Sequence, residues 1–254
     1  MDAVKKPEFS ATDKDRFFWQ ELEKLIEERK YRLSDILEHF PAYIMRRFLG
    51  RFLAHYELFK LVQDLPGCIV EIGVFRGRSF FTWGHLLETF CPADRRRNVY
   101  GFDHFAGLQE FTDRDGRFDD VNDKVPGGWR ATQAEIEKLC ELHTLDGMVP
   151  GVPRCHLVPG DIRETLPPFL ERNPGLRISL LHLDVDLYEP THYALQHLYP
   201  LVLTGGVVCF DEYAVVPWQG ETRAADDYFG TLPSRPVIQK YPFTGFPSGY
   251  FVKR

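Results

Sequence analysis

The sequence predicts a doubly wound α/β fold behind a helical N-terminal region, and three observations point there. Short apolar runs that end in acidic residues alternate with helical segments, which implies a mostly parallel sheet covered on both faces. The first such run leads through glycines into a helix, the kind of turn at which ligands cross a strand end. The chain has 254 residues and is 44% hydrophobic, long enough to bury one sizeable core.

From Asp15 to Gln63 apolar residues such as Phe18, Leu22, Leu25 and Ile26 recur at helical steps, and Ser34 is placed to cap a second helix through Ile36 and Leu37. Tyr43 to Leu61 repeats the pattern. Its Arg46, Arg47 and Arg51 can bind an anion, but their mixed-charge setting reads as a solvated helix face. Residues 1–65 are therefore expected to form a helical lid or oligomerisation region, and residues 66–254 the α/β domain. Pro66 and Gly67 break the helical pattern, and Cys68 to Ile72 reads as a buried strand. Ser79 to Phe90 is helical, and Val99 to Phe102 is a second strand closing at Asp103. Gln109 to Trp129 carries Asp113, Asp115, Asp119, Asp120 and Asp123 before Gly127 and Gly128, and reads as a long solvated loop with the alternative of a lid. A helix follows over Ala131 to Leu142, then strands at Cys155 to Val158, Ile178 to Leu183 and Val207 to Phe210, with a helix over Tyr193 to Leu198. Val237 to Tyr241 and Tyr250 to Lys253 read as a terminal hairpin.

Composition narrows the function. A formal net charge of −6 argues against a partner bound by phosphate neutralisation, so no nucleic acid is expected and a small molecule fits better. The 5 cysteines include no CxxC pair, which suggests neither a disulfide framework nor a cysteine zinc site and fits a reducing cytoplasm. Lys5, Lys6 and Glu8 leave no room for a signal-peptide apolar core, and no segment reaches the ~20 apolar residues of a membrane span.

In Glu71-Ile72-Gly73-Val74-Phe75-Arg76-Gly77-Arg78-Ser79 a strand ends, turns through glycine and opens a helix at Ser79. The spacing is not the GxGxxG of dinucleotide sites, which ranks an NAD-dependent oxidoreductase last, and no P-loop is present. Asp103 closes the next strand, where it can accept ribose hydroxyls or cap the following turn. Asp161 closes a third, where it can meet a base edge or cap the following helix. Farther on, Leu183-Asp184-Val185-Asp186 and Phe210-Asp211-Glu212 deliver carboxylates to the ends of two more strands. Asp184, Asp211 and Glu212 would then converge as a hard, oxygen-only donor set suited to Mg²⁺.

The blocks Val70-Glu71-Ile72-Gly73-Val74-Phe75-Arg76-Gly77, Gly101-Phe102-Asp103-His104-Phe105-Ala106-Gly107-Leu108 and Gly160-Asp161-Ile162-Arg163-Glu164-Thr165-Leu166-Pro167 are followed in order by the two acidic blocks. Together they resemble the macrocin O-methyltransferase family from Pro66 to Phe229. The resemblance implies a Rossmann-like class I methyltransferase fold, with a mostly parallel seven-stranded sheet and a C-terminal antiparallel hairpin. It implies S-adenosylmethionine and Mg²⁺ as cofactors, a sugar hydroxyl on a natural product or nucleotide sugar as acceptor, and a homo-oligomer. It places the cofactor at Glu71, Gly73, Gly77, Ser79, Asp103 and Asp161, and metal ligands on Asp184, Asp211 and Glu212. Glu212 departs from the family, which more often has Asp there. Methyl transfer to a hydroxyl needs a proton acceptor, for which Asp184 comes first, Asp186 next and His182 third, with His192 behind them. Trp129, Tyr188, Tyr213 and Trp218 can stack on the acceptor or simply pack. The alternatives are a phenolic or catechol-like acceptor, a cephalosporin hydroxylase-like protein on the same fold, and a binding protein without turnover.

Overall fold

The computed structural model describes residues 11–116 and 124–254, in two compact units, Met1–Leu49 and Gly50–Arg254. The first contains α1 (Ala11–Arg29), α2 (Leu33–Glu38), α3 (Phe40–Tyr43) and the opening residues of α4 (Arg46–Val62). None of residues 13–49 is buried, so the described part of this unit has no enclosed core. Aromatic edges hold it instead: Trp19 meets Phe48 at 6.2 Å and Tyr31 meets Tyr43 at 6.2 Å between ring centroids, beside an Arg47–Asp15 ion pair. Ser34 does not cap α2. The helix starts two residues earlier, at Leu33, where the Asp35 carboxylate accepts from the Arg32 backbone N–H at 3.2 Å and leaves Ser34 inside the first turn.

In the second unit β1 (Cys68–Ile72), β2 (Val99–Asp103), β3 (Cys155–Pro159), β4 (Ile178–Leu183), β5 (Val202–Phe210) and β6 (Gly249–Val252) form one sheet of order β3-β2-β1-β4-β5-β6. All pairs are parallel except β5 with β6. Strand parity divides the side chains between two cores. Val70, Ile72, Leu181, Leu183, Val208 and Phe210 pack on α7 (Ile162–Arg172), α8 (Tyr188–Leu198) and α9 (Gln219–Gly230). Ile69, Leu180, Val207 and Cys209 pack on α4, α5 (Arg78–Phe90) and α6 (Gln133–Asp146). On α4 the buried Gly50, Ala54, His55, Leu58, Phe59 and Val62 recur at helical spacing, which is why that helix covers the sheet.

Among the described residues the sheet has six strands, one fewer than the resemblance implies. Pro236 and Pro242 flank the Val237 to Tyr241 segment and supply no N–H, so it contributes a single antiparallel bridge, Gln239 with Tyr250, in place of a strand. The Asp-rich loop divides. Asp119, Asp120 and Asp123 lie outside the described residues, and Asp113 is exposed. Asp115 is buried, not solvated: it accepts from the Tyr188 backbone N–H at 2.6 Å and from Thr112. Among the described residues no helix is long and apolar enough to cross a membrane.

Candidate active site

The chain runs β1, β2, β3 outward on one side of β1 and then resumes with β4 and β5 on the other, so the order reverses between β1 and β4. A crevice opens at such a reversal, outside the carboxyl ends of the strands. Backbone bonds carry the ladder to this edge: Gly73 N–H donates to Phe102 at 2.9 Å, Asp184 N–H to Ile72 at 2.8 Å and Asp211 N–H to Leu183 at 2.9 Å. Phe75, Phe105, Asp186 and Ala214 follow β1, β2, β4 and β5, and all have left-handed φ, between 48° and 62°. Non-glycine residues rarely accept this, and its recurrence along one edge marks where the chain stores strain.

At the β1 turn Gly73 has φ +91°, and Gly77 caps α5 with φ +80°. A Cβ on Gly77 would meet the Phe81 ring at 2.5 Å. Asp103 faces this turn: one carboxylate oxygen accepts from the N–H groups of Val74 at 2.9 Å and Phe75 at 2.8 Å, and the other from Phe105 at 2.7 Å. It holds the turn in shape while its side chain stays half-buried. Asp161 caps α7 by accepting from the Arg163 N–H at 2.8 Å and pairs with the Arg163 side chain. That pairing draws its pKa below the usual carboxylate range, against the opposing effect of burial.

The sequence places Glu71 and Ser79 at the cofactor, whereas the structure encloses them. Glu71 accepts from Ser79 Oγ at 2.9 Å and Trp83 Nε1 at 2.9 Å, and lies 3.1 Å from His182 Nδ1. Strand register explains the meeting, because Glu71 pairs with His182 and both share the parity of the core under α4 and α5. His182 is fully buried. Burial works against its protonated form, but Cys209, Asp211 and Glu71 raise its pKa well above the ordinary value.

Beyond His182 lies an acidic cluster. His182, Asp184 and Asp211 each bring one ligand atom within 4.8 Å of the others. Glu212 adjoins this group, its carboxyl interacting electrostatically with Asp186, Asp211 and Glu221. Burial and Asp211 push Asp184 up to about 7, although Arg51 opposes them. Burial with neighbouring carboxylates drives Asp186, Glu212 and Glu221 well above the usual range. Asp211 goes the other way: burial alone would raise it, but Arg51 and His182 hold it at about 2.

Two members escape sequence reasoning. Arg51, read as part of a solvated face, is half-buried and donates to Asp211 Oδ2 at 2.6 Å and Asp184 Oδ2 at 3.2 Å. Glu221, inside the polar stretch of α9, is completely buried and accepts from the Glu212 backbone N–H at 3.3 Å. Of the four aromatic candidates, Tyr188 and Trp218 are buried in packing and Tyr213 bonds Asp226 at 2.9 Å. Trp129 is 47% exposed, edge-on to Phe75. His192 stacks on Tyr188 at 5.4 Å, on α8.

The cluster fits a hard divalent cation. His182 Nε2, Asp211 Oδ1 and Glu212 Oε2 are buried and have no hydrogen-bond partner among the described residues, although groups so enclosed are nearly always paired. Two aspartates and an unpaired glutamate oxygen are the donors such an ion selects. The histidine, tied to Glu71, stands behind Asp211 at 3.8 Å.

Residues 57–231 match the family model described as macrocin-O-methyltransferase. A tetracenomycin-C-derivative 4'-O-methyltransferase of Streptomyces olivaceus, named for its dimethoxyrhamnosyl substrate, is 32% identical over 73% of this chain and 66% of its own length. Demethyldecarbamoylnovobiocin O-methyltransferase of Streptomyces niveus is 29% identical over 61% of this chain and 56% of its own. The matched segment thus spans less than two thirds of either relative. The solved structure of CalS11, a calicheamicin methyltransferase, shares 27% identity over 99% of each chain with a TM-score of 0.84. Its apo structure, described as a TDP-rhamnose 3'-O-methyltransferase, is 29% identical with a TM-score of 0.77 over the same coverage.

Proposed function

The chain belongs to the macrocin-O-methyltransferase family, and from that premise we propose that it transfers the methyl group of S-adenosylmethionine to a hydroxyl of a sugar, carried on a natural product or a nucleotide. The observation that carries this reading is the contact between the glycine turn after β1 and the carboxylate strand end of β4: a Cβ on Gly73 would lie 1.8 Å from the Asp184 carbonyl oxygen. A cofactor seated on that turn therefore presents its reactive end beside the acidic cluster, and proximity of this kind is what an in-line transfer requires.

When bound, S-adenosylmethionine supplies an electrophilic methyl group and Mg²⁺ lowers the pKa of the acceptor hydroxyl while fixing its position. The protein's own residues do the rest. Gly73 and Gly77 allow close backbone approach, and Asp103 braces the turn beside the ribose position. Asp184, Asp211 and Glu212 would hold the metal. Asp184, pushed up to about 7, is suited to take a proton near neutrality, with Asp186 next to it in the cluster. Trp129 offers an exposed ring for the acceptor. Exposed Phe17, Leu33 and Leu37 support a homo-oligomer, which sedimentation would reveal.

The test is mass spectrometry of products from isotopically labelled S-adenosylmethionine offered with nucleotide sugars and glycosylated acceptors. A labelled methyl on a sugar oxygen is the expected result. Absence of transfer to every acceptor, together with no S-adenosylmethionine binding by calorimetry, refutes the reading.

A further inference from the structure

The acidic cluster already holds a cation of its own. Arg51 reaches from α4 to residues far along the chain, and its Nη2 contacts the Oδ2 atoms of both Asp184 and Asp211. Its side chain is only 15% exposed, and its guanidinium lies over the Phe246 ring at 5.6 Å. Yet the anchoring is incomplete, because Arg51 Nε is buried without a hydrogen-bond partner. A guanidinium committed to a permanent structural pair normally has its donors satisfied.

We infer that Arg51 is the resident counter-cation of this cluster and that a divalent metal binds by displacing it. The inference rests on the metal reading above. Arg51 brings one positive charge to the two carboxylates of Asp184 and Asp211, with Glu212 next to Asp211 in the chain. A doubly charged ion neutralises more of them, but it needs oxygens at roughly 2.1 Å and so claims lone pairs that the guanidinium now occupies. Two cations sharing the same oxygens in a poorly solvated site repel strongly. The long, unbranched arginine stem and the flat Phe246 surface let the guanidinium leave without unwinding α4. Arg51 is thus a positioning residue: it keeps the carboxylates gathered before loading and sets the metal concentration at which loading occurs.

Calorimetric titration with Mg²⁺ alone, on the wild-type protein and on Arg51→Gln and Arg51→Met, tests this. Affinity should rise roughly tenfold or more in the variants, because a competing charge has gone. Nitrogen-15 spectra of arginine side chains in the wild-type protein give a second readout that requires no variant to fold: the Arg51 Nε signal should shift toward that of solvated arginines as Mg²⁺ saturates. Equal or weaker Mg²⁺ binding in a folded variant, or an Arg51 signal unmoved at saturation, overturns the displacement while leaving the metal site standing. No Mg²⁺ binding by wild type or variants overturns both.

Discussion

Gly73 and Asp184 meet backbone against backbone, so closely that any β-carbon on Gly73 would fall 1.8 Å from the Asp184 carbonyl oxygen. The left-handed φ of +91° at Gly73 adds a second demand for glycine. Gly73→Ala should therefore push the β1 turn away from β4. The expected outcome is a loss of about 2 kcal/mol or more of stability, with S-adenosylmethionine binding abolished. Urea unfolding and calorimetry measure the two effects. A stable variant with unchanged affinity would mean the contact does not shape the cofactor turn.

What the sequence makes legible, and what it hides, follows from which forces act locally. β1 and β4 are predominantly apolar runs, and their predicted limits coincide with the observed ones. β5 begins earlier than its apolar run because Val202 to Gly206 includes two glycines, residues with poor strand propensity that tertiary pairing nevertheless recruits. The acidic strand ends were visible because each follows an apolar strand. Arg51 was not: nothing local distinguishes a helix arginine that meets carboxylates more than a hundred residues away from one facing water. Glu221 was hidden for the same reason, sitting in a polar helix segment that only the fold buries.

Glu71 accepts from Ser79 and Trp83 and faces His182, all inside the core. Glu71→Gln replaces one acceptor oxygen by an amide NH₂ that cannot accept, leaving a buried donor unpaired. A loss of about 2–4 kcal/mol in urea-measured stability is expected. A change below about 0.5 kcal/mol would show that the network contributes little.

His143 stacks on Phe81 at 4.2 Å, and burial together with His85 lowers its pKa to about 4. Because the folded value lies below the unfolded value of about 6.5, the unfolded chain binds the proton first as pH falls. The associated stability is complete above pH 6.5, declines as pH falls to about 4 and is level below that. His143→Phe keeps the stack and cannot titrate, so the decline across this window should be smaller by about 1 kcal/mol, solvent screening having reduced the full shift. Burial also depresses His55 and His156, which titrate in both proteins, so the difference between the two stability curves is the diagnostic quantity. Parallel curves from pH 7 to 4 would remove His143 from the account.

Chelation should abolish methyl transfer and Mg²⁺ should restore it, because Asp184 and Asp211 stand on adjacent strand ends with unpaired buried acceptors on Asp211 and Glu212. Asp184→Asn removes a charged ligand and a proton acceptor together, so its rate should fall further than that of Glu212→Gln, by a factor of about 10²–10⁴ for the lost base alone. Glu212→Asp shortens the arm to the length more usual in the family and should retain activity, unless the interaction between the Glu212 and Glu221 carboxyls is what aims the longer side chain. Rates measured across Mg²⁺ concentrations separate these roles. A variant that has lost only a ligand recovers at high Mg²⁺, whereas one that has lost the base does not. Metal-dependent activity surviving in Asp184→Asn would move the base to Asp186, the neighbouring carboxyl in the cluster, and full activity after exhaustive chelation would remove the metal from the reaction altogether.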